Sequence, residues 1–228
     1  MQKLFFYEEI MLLALRDKEG TIASGAMYTF ALSGAIVAEL LLQERVKIDE
    51  TRRNKLLDVI DDKPLGDPLL DECLLKIKNA RRRASLSTWV SRFSGIKKLK
   101  HRVAQHLCQR GILRMDEDQI LFIFTRKIYP ELNPIPEREI KERIEHAIFT
   151  ETNDIDSRTV VLISLAKSTN LLHANFDKKQ LKKQKKRIKQ ITEGEMTGKA
   201  AAEAIAAMQA AVMAATMVPI MAAATVSN

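Results

Sequence analysis

The side chains able to do chemistry in this sequence are above all cations. Between Cys73 and Met115 the chain carries twelve Lys and Arg and no Asp or Glu. Ordinary surfaces intersperse both signs, so an acid-free run of that length reads as more than a solvated face. The chemistry it offers is anion binding. Lys97, Lys98, Lys100 and Arg102 crowd the start of an expected helix. Lys97 and Lys100 are three apart and would project from one face, beside free backbone N–H groups and a dipole that also favour an anion. Arg92 or Arg102 completes the expected set around a phosphate or sulfate, and Arg81, Arg82, Arg83 and Lys98 extend it as a basic patch. The structural alternative is that acids elsewhere in the chain fold against the run. A second cluster, Lys178–Lys189, holds eight positive charges in twelve residues, with Leu181 and Ile188 on a thin apolar stripe. It suits an anionic leaflet, a nucleic-acid contact or a solubilising face.

Catalytic chemistry finds no comparable set. His101, His106, His146 and His173 form no H-x-x-x-H or H-E-x-x-H pattern. Cys73 and Cys108 are isolated and read as small core residues. There is no P-loop, no G-x-S-x-G and no G-x-G-x-x-G. Asp61-Asp62 and Asp116-Glu117-Asp118 read as solvated turns. The expectation is a protein that is not an enzyme and uses no metal or cofactor.

The elements that must position the cations are mostly helices. Leu4–Leu15 reads as an amphipathic helix stopped before Gly20. Ala26–Gln43 holds one charge, Glu39, and an all-round apolar helix is a buried one. Val46–Asp49 and Leu56–Ile60 read as paired short strands. Asp67 or Asp71 caps a helix through Leu70, Leu74 and Ile77. Ser87–Phe93 and Lys97–Arg110 follow, the latter ended by Gly111. Ile112–Met115, the acidic turn and Ile120–Phe124 form the expected hairpin. Glu137–Thr150, Arg158–Lys167 and Phe176–Ile191 are further helices. Trp89, the single Trp, reads as a buried anchor.

The chain has 228 residues, 46% hydrophobic and 5% aromatic, and its net charge is 37 − 29 = +8. A polyanion, nucleic acid or an anionic membrane, is the expected partner. Two cysteines make no disulfide framework, and no secretory signal opens the chain. From Ala204 onward there is no charge, but Ala predominates and Leu, Ile and Phe are almost absent. This tail, residues 200–226, is expected as a buried core helix rather than a membrane span.

Several segments, in order from about residue 7 to residue 176, resemble the Golgi phosphoprotein 3 family. They are Glu8-Glu9 through Gly20, Gly34 through Glu39 to Arg45, and Gly66-Asp67 through Asp71-Glu72. Trp89 through Gly95, Arg102 through Leu113, and Asp156-Ser-Arg158 through Ala166 complete the series. The resemblance implies a mainly α single globular domain with a small protruding β-hairpin and an apolar C-terminal helix in the core. It implies a bacterial or divergent member, a cytoplasmic, peripherally membrane-associated protein that recognises phosphatidylinositol 4-phosphate, on the cytosolic face of the Golgi if eukaryotic, and binds cytoplasmic tails of membrane enzymes as an adaptor. The hairpin, with Ile120, Phe122 and Phe124, would serve self-association.

The family's headgroup pocket maps onto Ser24 and Ser33, where a Trp and an Arg would stand, and onto Lys97 and Lys100, where two Arg would stand. Lysine keeps the charge without the bidentate fork, which Arg102 or Arg92 would supply. The alternative reading is a winged-helix-like nucleic-acid binder, with Lys97–Arg110 as reading helix and the hairpin as wing. A wing tip at Asp116-Glu117-Asp118 would repel a phosphate backbone, which disfavours it.

Overall fold

The structure, a computed structural model, describes residues 3–16, 19–22, 28–49, 56–120 and 124–193. Within them the chain is mainly α-helical, as the sequence predicts. Helix α1 (Phe6–Ala14) is the centre of the molecule, and all nine of its residues are buried, Glu8 and Glu9 included. Nine residues are too few for a helix to persist alone in water. Its stability comes from the helices packed around it: α2 (Tyr28–Leu42), α5 (Leu99–Gln109), α6 (Ile135–Phe149), α7 (Ser157–Ser168) and α8 (Leu171–Asn175). Helix α2 is buried without interruption from Ala31 to Leu40, as its uncharged sequence requires.

Strands β1 (Val46–Asp49) and β2 (Leu56–Val59) pair antiparallel, Val46 opposite Val59 and Asp49 opposite Leu56. Helix α3 (Pro68–Lys78) starts where Asp67 accepts from the Leu69 and Leu70 N–H groups at 3.1 and 2.8 Å. Pro68 at N1 gives up no hydrogen bond there. Helix α4 (Leu86–Ser94) is capped by Ser85 and buries Trp89, Val90 and Phe93. Trp89 is the expected anchor, 1% exposed, its ring 5.6 Å from that of Phe93.

The second hairpin departs from the sequence reading. It pairs β3 (Asp116–Ile120) with β4 (Phe124–Ile128), so the three acids lie along a strand and not in the turn. Ile112 and Leu113, expected as strand residues, are core residues, and Ile112 O accepts from Leu132 N–H at 2.9 Å. The register places Asp118 opposite Arg126 and Glu117 opposite Lys127. Asp118 and Arg126 make an ion pair at 2.6 Å, and such an opposite-charge pair across the strands stabilises the hairpin.

The basic segment expected as one helix, Phe176–Ile191, is divided. Phe176 is extended, Asp177 caps α9 (Lys178–Lys183), and α10 (Lys185–Thr192) follows. The core helix expected over 200–226 lies outside the described residues, of which no helix is long and apolar enough to cross a membrane.

Carboxylates in the core demand partners, and the motifs that carry the family resemblance supply them. Arg158, 5% exposed, lies 3.3 Å from both Glu9 and Glu39. Arg143 donates to Glu9 at 2.7 Å and Arg110 to Glu8 at 2.6 Å. Glu39 also accepts from the Phe6 N–H, and Tyr7 Oη donates to Asp67 at 2.7 Å. Burial pushes the Glu8 carboxyl up from its ordinary range, against the Phe5 N–H, Arg110 and His106, which pull it down. The network ties α1 to α2, α5, α6, α7 and the cap of α3.

Candidate anion-binding cleft

Four segments converge on a cleft of about 940 Å³. The first turns of α5 contribute Lys98, Lys100, His101, Arg102 and Gln105. Strand β4 and the residue after it contribute Thr125, Arg126, Lys127 and Tyr129. The chain leaving α1 contributes Arg16, Glu19, Thr21 and Ile22, and Tyr28 opens α2. Among the described residues that line it, six cations thus face one acid, Glu19.

Two close approaches hold the walls together. His101 Nδ1 is 2.8 Å from Tyr129 Oη, which joins α5 to the end of β4. The Tyr129 N–H donates to Gly20 O at 2.9 Å, and Gly20 has φ +59°. A Cβ on Gly20 would lie 2.3 Å from Pro130 N, so only glycine permits this contact.

The cations are of two kinds. Arg102 is held by Glu72 at 2.6 Å, and Arg126 is held by Asp118, which accepts from Nε at 2.9 Å and Nη2 at 2.6 Å. Arg16, Lys98, Lys100 and Lys127 have no carboxylate partner among the described residues. Burial pushes the Lys100 ammonium down from its ordinary range, and Arg126 adds to this. Burial likewise pushes His101 down, helped by Lys100, Lys127 and Lys98. Lys100 and His101 therefore sit where positive charge is disfavoured, and a neighbouring anion would relieve both. Lys98 adopts φ +57° and supplies no side-chain cap to α5.

Of the residues singled out from sequence, Lys98, Lys100 and Arg102 come together here. Lys97 does not. The helix starts at Leu99, after the left-handed Lys98, so Lys97 sits in the preceding turn and shares no helix face with Lys100. Arg92 lies over the Trp89 ring at 4.6 Å on α4, away from the cleft walls. Ser33 is fully buried, its Oγ donates to Thr29 O at 2.8 Å, and it does not line this cleft. Ser24 and Phe122 lie outside the described residues, and Ile120 and Phe124 are the last pair of the hairpin.

The acid-free run is partly neutralised by distant acids. Arg83 pairs with Asp49 at 2.7 Å and with Asp58, and Lys78 pairs with Asp62. Arg81 and Arg82 are exposed in the α3–α4 connection. Sequence reasoning missed Arg16, Arg126, Lys127 and Tyr129. The signal for the last three was the alternation Thr125-Arg126-Lys127-Ile128-Tyr129, opposite in charge to Asp116-Glu117-Asp118.

The described residues thus form a mainly helical frame in which helix α5 and strand β4 wall a cleft rich in cations. A family model described as Golgi phosphoprotein 3 (GPP34) matches residues 6–208, and the chain belongs to that Golgi-associated family. It is also similar to the vacuolar protein sorting-associated protein 74 of Eremothecium gossypii, 27% identical over 201 residues. That match takes in 74% of this chain and 60% of the relative, so the chain spans less than two thirds of the length of the curated relative.

Proposed function

We propose that the cleft binds the phosphorylated headgroup of an anionic phospholipid, a phosphoinositide such as phosphatidylinositol 4-phosphate. The protein then acts as a non-enzymatic peripheral component of a Golgi-type membrane. The observation that carries this reading is the set of four cations without carboxylate partners among the described residues, with Lys100 partly withdrawn from water between α5 and β4. A phosphate there gains charge-assisted hydrogen bonds and removes repulsion at once. Two of the walls are already held by Glu72 and Asp118, which fixes their positions before a ligand arrives.

The geometry favours a compact headgroup over a nucleic-acid duplex. A reading helix must enter a major groove about 12 Å wide with its face free. Here β4 stands against the first turns of α5, with Tyr129 on His101.

Sedimentation with phosphatidylcholine vesicles, with and without phosphatidylinositol 4-phosphate, tests the reading. The protein should pellet with the phosphoinositide vesicles, and the triple variant K98Q/K100Q/K127Q should lose that preference by about tenfold or more. A triple variant that keeps the preference while folded would place the headgroup site elsewhere.

A further inference from the structure

We propose that α9 and α10 form a second surface, separate from the cleft, that takes an anionic bilayer through its charge alone. It goes beyond the headgroup reading because it needs no phosphorylated inositol. Leu181, Ile188 and Ile191 are buried, which fixes both helices against the body of the protein. Lys178, Lys179, Lys182, Lys183, Lys185 and Lys186 are all exposed. None of these six has a carboxylate partner among the described residues, and only Lys189 pairs, with Glu193 at 3.7 Å.

The first basic run shows that this fold can neutralise cations when it places acids against them. Of its twelve, Lys76, Lys78, Arg83, Arg102, Arg110 and Arg114 meet carboxylates. The α9–α10 cluster received no such acids except Glu193. Its self-repulsion therefore awaits an external anion.

The residue types indicate which anion. The one arginine, Arg187, is spent on structure. It donates to Ala147 O at 2.8 Å and to Thr152 O at 2.5 Å, which clamps α10 onto the end of α6. That task needs a planar fork, whereas the lysines are mobile point charges. The exposed positions of α9 and α10 carry no aromatic side chain on which a base could stack. A fluid sheet of anionic headgroups asks for many adaptable charges and no fixed geometry, and each lysine near it adds to the attraction.

The test sediments the full chain with vesicles of phosphatidylcholine alone, phosphatidylcholine with phosphatidylserine, and phosphatidylcholine with phosphatidylinositol 4-phosphate. The six-lysine-to-glutamine variant should lose binding to phosphatidylserine vesicles by about tenfold or more. The six-lysine-to-arginine variant should keep it, and K98Q/K100Q/K127Q should also keep it. Should the six-glutamine chain aggregate, K178Q/K182Q/K186Q should show an intermediate loss with an unchanged melting temperature. Phosphatidylserine binding within twofold of the parent in the folded glutamine variants would overturn the proposal and leave the cleft reading intact. So would a loss of DNA binding in those variants with phosphatidylserine binding unchanged, because the face would then belong to nucleic acid.

Discussion

Lys100 and His101 hold opposite relations to stability and to binding. Lys100 is pressed by burial and by Arg126, so removing its charge relieves the fold. We expect K100Q to melt at the parent's temperature or slightly above while phosphoinositide binding falls, the pattern of a site kept at the expense of stability. Thermal denaturation beside vesicle sedimentation checks it, and a marked fall in melting temperature would make Lys100 a structural residue. For His101, burial and three lysines hold the folded value below the ordinary 6.5. Its contribution to folding is thus present above that value and lost as pH falls through the lowered one. Anion binding acts in the other sense. It raises the His101 value, takes up a proton, and so strengthens as pH falls. The ratio of parent to H101Q binding on phosphoinositide vesicles should rise on going from about pH 7.5 to about pH 5.5. The ratio cancels the titration of the lipid phosphate itself, which occurs near pH 6. A flat ratio would show that His101 does not sense the ligand.

The hairpin is the element on which the cleft depends and the one least legible in the sequence. Helices α2, α3 and α7 could be read from an apolar run, an Asp cap and a Pro at N1, because those signals are local. The register of β3 on β4 could not, because its strongest contact, Asp118 with Arg126, joins residues that look like a turn acid and a loop cation when read singly. The same limit hid the start at Asp177, which caps α9, and the division at Gln184, which ends α9 and begins α10 inside what charge density alone suggests is one helix. Lys97 was misplaced because one left-handed residue, Lys98, shifts the start of α5 past it. Asp118 also restrains Arg126, and this can be tested. D118N should release the guanidinium to the cleft and tighten phosphoinositide binding severalfold, while D118N/R126Q should not. At the other end of the strand, G20A would drive a Cβ into Tyr129 and Pro130 and place alanine at positive φ. We expect a loss of about 1–3 kcal/mol in chemical denaturation and weaker headgroup binding as the wall moves.

Across the whole molecule the segments that resemble the family have a shared physical role. The adjacent Glu8 and Glu9, and the distant Glu39, Asp67 and Arg158, meet in the core around α1. The resemblance therefore reports the fold, which is why the architecture was legible, while of the cations expected at the site Lys98, Lys100 and Arg102 line the cleft. Ser33 is buried on α2 and Lys97 lies in the turn before α5, both outside the cleft. Arg158 is the test of this division. It stands between Glu9 and Glu39, and its guanidinium lies 4.0 Å over the Phe6 ring. In R158M, Glu9 keeps Arg143 at 2.7 Å, whereas Glu39 keeps only neutral donors, the Phe6 N–H and the Gln43 amide. Removing one partner from a buried ion pair costs about 3–5 kcal/mol, more than replacing the whole pair. R158M should therefore unfold at much lower denaturant, and R158M/E39Q should recover part of the loss because the stranded charge is gone. Phosphoinositide binding per folded molecule should match the parent in both, since Arg158 lines no wall of the cleft. A double variant no more stable than R158M would mean that Glu39 is stabilised by something other than Arg158. Lost binding in folded R158M would couple the core network to the cleft and remove the separation between scaffold and site.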